Sequence, residues 1–207
     1  MFGNALGRLD GGQPAAGDGV GGGSSHQRHL RDHLEWTLKD GVLAISGTGM
    51  MYYYEYEKVP WIDHFNSITS VVIADGVTSI GSYAFAGCGS LTNVTIPESV
   101  TSIEHNAFEH CESLASVNFP GKITSIGMHS FAYCTSLTSV MIPGSVTTIG
   151  NVAFRDCVNL KSVVISDGVT SIGQQSFMSC TSLTSVTIPM IDKNHRLLSQ
   201  KAVVFTQ

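Results

Sequence analysis

Five cysteines stand at equal steps along this chain. Cys88, Cys111, Cys134, Cys157 and Cys180 follow one another at intervals of 23 residues. The same interval separates Ile80, Ile103, Ile126, Ile149 and Ile172, and also Phe85, Phe108, Phe131, Phe154 and Phe177. It recurs in Leu91, Leu114, Leu137, Leu160 and Leu183. A fixed period of this size marks a repeat architecture, in which each unit packs on its neighbours. The unit reads V-T-S-I-G-x-x-A-F-x-x-C-x-S-L-T-S-V-T-I-P-x-x and starts at Val77, Val100, Ile123, Val146 and Val169. A partial unit precedes them, from Ile68 through Val71 to Ile73.

The unit translates into local structure. Leu91, Val94 and Ile96 typify an L-x-x-V-x-I segment with the apolar alternation of a strand. It matches the L-x-x-L-x-L core of a leucine-rich repeat, whose period is about 20–29 residues. Pro97, Pro120, Pro143 and Pro189 each end a strand, because proline has no N–H for a ladder. V-T-S-I-G reads as a second extended piece closed by a turn glycine. A-F-x-x-C spaces its apolar residues as one helical turn would. One coil alone buries too little apolar surface to offset its ordering entropy, so coils must stack and their ends need covers.

Composition narrows the partners. Only 13% of the 207 residues are charged, and the net charge is −5. A nucleic-acid partner is excluded, since phosphate binding draws on clustered Lys and Arg. No apolar run approaches the roughly 18 residues of a membrane-spanning helix, so insertion is not expected.

The repeats resemble the BspA-type leucine-rich repeats of bacterial and protist surface proteins, over residues 35–190. The stretch from Trp36 through Asp40-Gly41 to Gly49 resembles that family's capping hairpin. It also alternates about an Asp-Gly turn, a hairpin signal in its own right. Pro60-Trp61-Ile62 through Ile68 resembles the linker into the first coil. The expected fold is therefore a β-rich, right-handed, curved solenoid with an N-terminal β-hairpin cap. Residues 1–33 read as a flexible Gly-rich leader, 34–67 as the cap, 68–190 as the solenoid and 191–207 as a non-repeat tail. In that tail, Ala202–Phe205 is a candidate edge strand. The asparagine position of the commoner leucine-rich repeat is here Ser99, Lys122, Ser145 or Gly168. Ser and Thr hydroxyls are expected to serve the backbone instead.

The resemblance implies a non-catalytic module on the cell surface or secreted, attaching to host or extracellular-matrix proteins. The chain start lacks the basic and apolar regions of a secretory signal. Carbohydrate binding and a purely structural spacer are the alternatives. No cofactor is expected.

Several residue groups could carry chemistry and have plainer readings. The cysteines lack the paired C-x-x-C spacing of zinc sites and read as buried thiols, with metal or disulfide as the alternatives. His26, His29 and His33 share one face of any helix there. His105, His110 and His129 sit near one corner in adjacent coils. Gly17–Gly22 satisfies G-x-G-x-x-G without the flanking strand and helix, and reads as linker. Cys111 with His110, or Ser67 with His64 and Asp63, form catalytic sets on paper only, because a base must be held within reach of its nucleophile. The stretch Met50–Tyr56 reads as aromatic packing over the first coil, or as an exposed tyrosine patch.

The candidate ligand face is the aligned strands. Its residues are Thr69, Ser70, Asn93, Thr95, Ser116, Asn118, Ser139, Met141, Ser162, Val164, Ser185 and Thr187. The face is small, polar and nearly uncharged, suited to a protein edge or a glycan, or else an inert wall. Lys161, Met141 and Val164 depart from its pattern.

Overall fold

The computed structural model describes residues 34–51, 53–55 and 58–188, with a further backbone strand at Ala5–Arg8. That strand, β1, pairs antiparallel with β2 (Leu34–Lys39), which pairs antiparallel with β3 (Val42–Gly47). Asp40 and Gly41 join β2 to β3 with φ of 50° and 80°. Both are left-handed, as a two-residue turn matched to strand twist requires. The hairpin signal in the sequence is borne out.

From β3 onward all pairing is parallel, coil on coil. β3 pairs with β5 (Ser70–Ile73), and β5 with β7 (Asn93–Thr95). A second ladder runs through β4 (Gly49–Met50), β6 (Val77–Ile80), β8 (Ser102–Ile103), β9 (Ser125–Ile126), β11 (Thr148–Ile149) and β13 (Ser171–Ile172). The first sheet resumes further along as β10 (Ser139–Ile142), β12 (Ser162–Ile165) and β14 (Ser185–Thr187). Register partners such as Val140 and Val163 lie one period apart. The result is a β-solenoid capped by an antiparallel hairpin.

The A-F-x-x-C side is not a helical turn. Asn106, His129 and Val152 have φ of 57°, 56° and 61°, and His110, Tyr133 and Asp156 have φ of 58°, 62° and 57°. An α-helix would direct its N–H groups along its own axis. Here alternate residues donate to the next coil instead. Asn106, Phe108 and His110 bond the carbonyls of Met128, Ser130 and Ala132 at 2.9, 2.8 and 2.9 Å. An apolar spacing of i, i+1, i+4 fits either conformation, so the pattern could not separate them. Stacking selects the one that adds bonds between coils.

The expected hydroxyl ladders are present. The hydroxyls of Thr101, Thr124, Thr147 and Thr170 donate to the carbonyl of the threonine one coil earlier at 3.0–3.2 Å. At the corner where asparagine is missing, Ser99 Oγ accepts from the Gly76 N–H at 3.2 Å. One coil on, the Glu98 carboxylate takes the Gly121 N–H at 3.0 Å.

Inside, the repeat phenylalanines form a column. Successive ring centroids from Phe85 to Phe177 stand 5.1–5.3 Å apart. Val, Ile, Leu and Cys of each coil pack around it, nearly all fully buried.

Candidate functional site

Strand alternation sends two columns outward on the first sheet. One runs through Val42, Ser70, Asn93, Ser139, Ser162 and Ser185; the other through Ala44, Val72, Thr95, Met141, Val164 and Thr187. Ser116 and Asn118 continue them by the period and are exposed. Thr69 departs from this placement. It precedes β5, and its hydroxyl donates to the Gly41 carbonyl at 3.3 Å. None of the outward residues from β3 to β14 is charged. Charge begins at Glu35 and Lys39 on β2, and Lys161 flanks β12. Among the described residues the most exposed large apolar side chain is Met141, at 67%, directly opposite Val164, at 36%.

The sheet is not continuous, as an unbroken alignment of strands would make it. Ser116, Val117 and Asn118 form no strand, and their backbone groups make no hydrogen bond to either neighbouring coil. The next residue accounts for the break. Phe119 stands where other coils have Ile96, Ile142 or Ile165. Its ring meets Phe131 edge-on at 5.6 Å. A phenyl group needs a wider slot than an isoleucine, and this rung sits off the ladder.

Residues at the outer corner come together differently from the paper sets. His110 stacks on Tyr133 with centroids 4.3 Å apart and planes 2° from parallel. The period places both at one repeat position, a signal available in the sequence and missed. His105 Nδ1 accepts the Met128 N–H at 3.0 Å. His129 Nδ1 lies 3.6 Å from Glu109 Oε1. Among the described residues, no three His, Cys, Asp or Glu side chains are grouped to hold a metal. Ser67 Oγ donates to the backbone carbonyl of His64 at 2.9 Å, not to its ring. Cys111 points inward while His110 points out, so no base is held at either nucleophile. His26, His29, His33 and Gly17–Gly22 lie outside the described residues, as do Tyr52, Tyr56 and Ala202–Phe205.

The cysteines form a ladder of their own. The thiols of Cys111, Cys134, Cys157 and Cys180 donate to the carbonyls of Phe85, Phe108, Phe131 and Phe154 at 3.2–3.3 Å. All five cysteines are free. Burial pushes the Cys88 thiol up to about 12 and raises Cys111 and Cys134 as well. These are structural thiols. In the cap, Tyr54 is buried edge-on against Trp61 at 5.8 Å, while Tyr53 is 62% exposed. Tyr54 thus packs inward, as the first reading of that stretch expects, while Tyr53 faces solvent.

The repeat region matches the BspA type leucine-rich repeat region in six copies, over residues 63–184. The chain belongs to the BspA-type leucine-rich repeat family. Similar solved structures are bacterial leucine-rich repeat proteins. A leucine-rich repeat protein of Treponema pallidum is 29% identical, with a TM-score of 0.60 over 74% of this chain and 78% of that one. One from Bacteroides ovatus is 27% identical, with a TM-score of 0.56 over 79% and 42%. A leucine-rich cell surface protein of Faecalibacterium prausnitzii is 28% identical, with a TM-score of 0.51 over 77% and 55%. The chain thus spans about half of the last two. No curated protein is detectably similar to it. Among the described residues, no helix is long and apolar enough to cross a membrane.

Proposed function

We propose that this chain is a non-catalytic adhesion module of a surface-displayed or secreted repeat protein, binding a protein partner on the face of its first sheet. One observation carries the reading. The outward columns from β3 to β14 present a broad uncharged surface whose most exposed apolar group is Met141, two thirds of it open to solvent. Protein interfaces are depleted of charge at their centres and enriched in Met and aromatic groups. The surface likeness supports the location: one similar structure is itself a cell surface protein.

A glycan reading has a separate basis. The His110–Tyr133 stack is a flat ring pair at the outer corner, away from the sheet. An array of extracellular-matrix proteins and glycans separates the two. Saturable protein binding lost in an Asn93→Glu, Asn118→Glu, Ser139→Glu variant is the expected result. Glycan binding retained in that variant and lost in His110→Ala would move the function to the corner. Absence of any binding would favour a spacer.

A further inference from the structure

We propose that Cys157 and Cys180 are an oxidisable thiol pair, in which hydrogen peroxide attacks at Cys180 and a disulfide to Cys157 then ties the last two described coils together. Both side chains lie in the core, so the pair stands apart from the sheet face.

Geometry makes the two cysteines neighbours. The Asp156 N–H donates to the Met178 carbonyl at 2.9 Å, and the Ser182 N–H donates to the Val158 carbonyl at 3.1 Å. These bonds bracket the cysteines and set them on adjacent rungs. Rungs are about 4.8 Å apart, inside the roughly 4.4–6.8 Å that separates the Cα atoms of a disulfide. Both side chains point the same way. Each thiol donates to the carbonyl 26 residues before it, at 3.2 Å. The Cys157 thiol also reaches Cys180 and hydrogen-bonds to it. Closing the disulfide turns each thiol off its carbonyl and toward the other.

Solvent selects this pair. Every adjacent pair in the ladder shares the spacing, so spacing alone selects none. Cys88, Cys111, Cys134 and Cys157 are 0% exposed, whereas Cys180 is 9% exposed. That opening is narrow, and hydrogen peroxide is small enough to use it. Ionisation favours the same residue. A hydrogen bond from Cys157 holds the Cys180 thiol below its ordinary value, while burial pushes Cys88, Cys111 and Cys134 up. The thiolate is the form that a peroxide oxidises.

The redox balance closes. The Cys180 thiolate attacks one peroxide oxygen and the O–O bond breaks. The departing hydroxide takes up the proton that Cys180 released, giving water and a sulfenic acid. The Cys157 sulfur then attacks the Cys180 sulfur. The S–O bond breaks, and the hydroxyl leaves with the Cys157 proton as a second water. The two thiols together lose two electrons and two protons, and one peroxide is reduced to two waters.

The test treats the reduced full chain with hydrogen peroxide at neutral pH, without denaturant. Digestion and mass spectrometry without reduction then map the products. One internal cross-link is expected, Cys157 to Cys180, formed at least about tenfold faster than any among Cys88, Cys111 and Cys134. A dithiol should reverse it. Cys157→Ala should abolish the cross-link and leave Cys180 as sulfinic or sulfonic acid. Cys180→Ala should leave Cys157 as unreactive as Cys111. Cys111→Ala should change neither product nor rate. Melting curves check that each variant is folded, and the map of the parent chain decides without any variant. Cross-links formed equally fast elsewhere in the ladder would overturn the proposal. So would parent Cys180 oxidised without joining Cys157, a Cys180 link between two chains, or no oxidation until denaturant is added.

Discussion

Trp61 lies flat against Phe85, with ring centroids 5.7 Å apart and planes 18° from parallel. It is thus the first plate of the phenylalanine column, although it falls outside the strict period. Its indole N–H donates to the Ala84 carbonyl at 2.8 Å, and Trp36 meets it edge-on at 6.1 Å. Trp61 therefore adds a side-chain link between cap and first coil to the backbone pairing of β3 with β5. Trp61→Ala should cost about 3–5 kcal/mol through the cavity left. Denaturant unfolding would measure it; a loss below 1 kcal/mol, roughly the scale of a surface change, would mean that the hairpin alone covers that end.

Phase along the repeat is testable with one pair of variants. Phe131 is fully buried mid-column and Ser139 is exposed. Phe131→Ala should cost about 3–5 kcal/mol, and Ser139→Ala less than about 0.5 kcal/mol. Equal melting of the two would contradict the inward and outward assignment.

Val152 adopts a φ of 61°. Left-handed backbone costs an L-residue about 1–2 kcal/mol, and a β-branched one tolerates it worst. The equivalent residue one coil earlier but one is Asn106, of a type that enters this region readily. Val152→Asn should therefore stabilise the chain by about 1 kcal/mol, read as a higher denaturation midpoint with unchanged slope. A lower midpoint would show that the valine's packing outweighs its strain.

The buried thiols make stability fall in alkali. Unfolded thiols ionise near their ordinary value of 9.0, whereas burial holds Cys88 protonated to about 12. Between those values the unfolded chain sheds protons that the folded chain keeps, so folding weakens as pH rises. Stability should be unaffected by these groups below pH 9 and decline above it. Replacing Cys88, Cys111 and Cys134 with Ala should flatten that decline, measured as the midpoint from pH 8 to pH 11 by about-unit steps. In the parent, alkylation of Cys88, Cys111 and Cys134 at pH 8 should be slow until denaturant is added, because the thiolate is the nucleophile. Rapid labelling of Cys134 in the folded chain would place it outside the core.

The division between sequence and structure follows from what a period can encode. Equal spacing of Cys, Phe, Leu and Ile, read with strand alternation, sufficed for stacked coils, for the inward side chains and for the hairpin at Asp40-Gly41. Those properties depend on residues whose position repeats or whose turn chemistry is local. The same spacing left the A-F-x-x-C conformation undetermined, since a helical turn and a left-handed ladder bury the same side chains. Only neighbouring coils, which accept the N–H groups of Asn106, Phe108 and His110, decide for the ladder. Contacts between coils likewise pair His110 with Tyr133 and part the sheet beside Phe119. There a single wider ring changes the fit of a whole rung against the column, and that fit exists only once the coils are stacked.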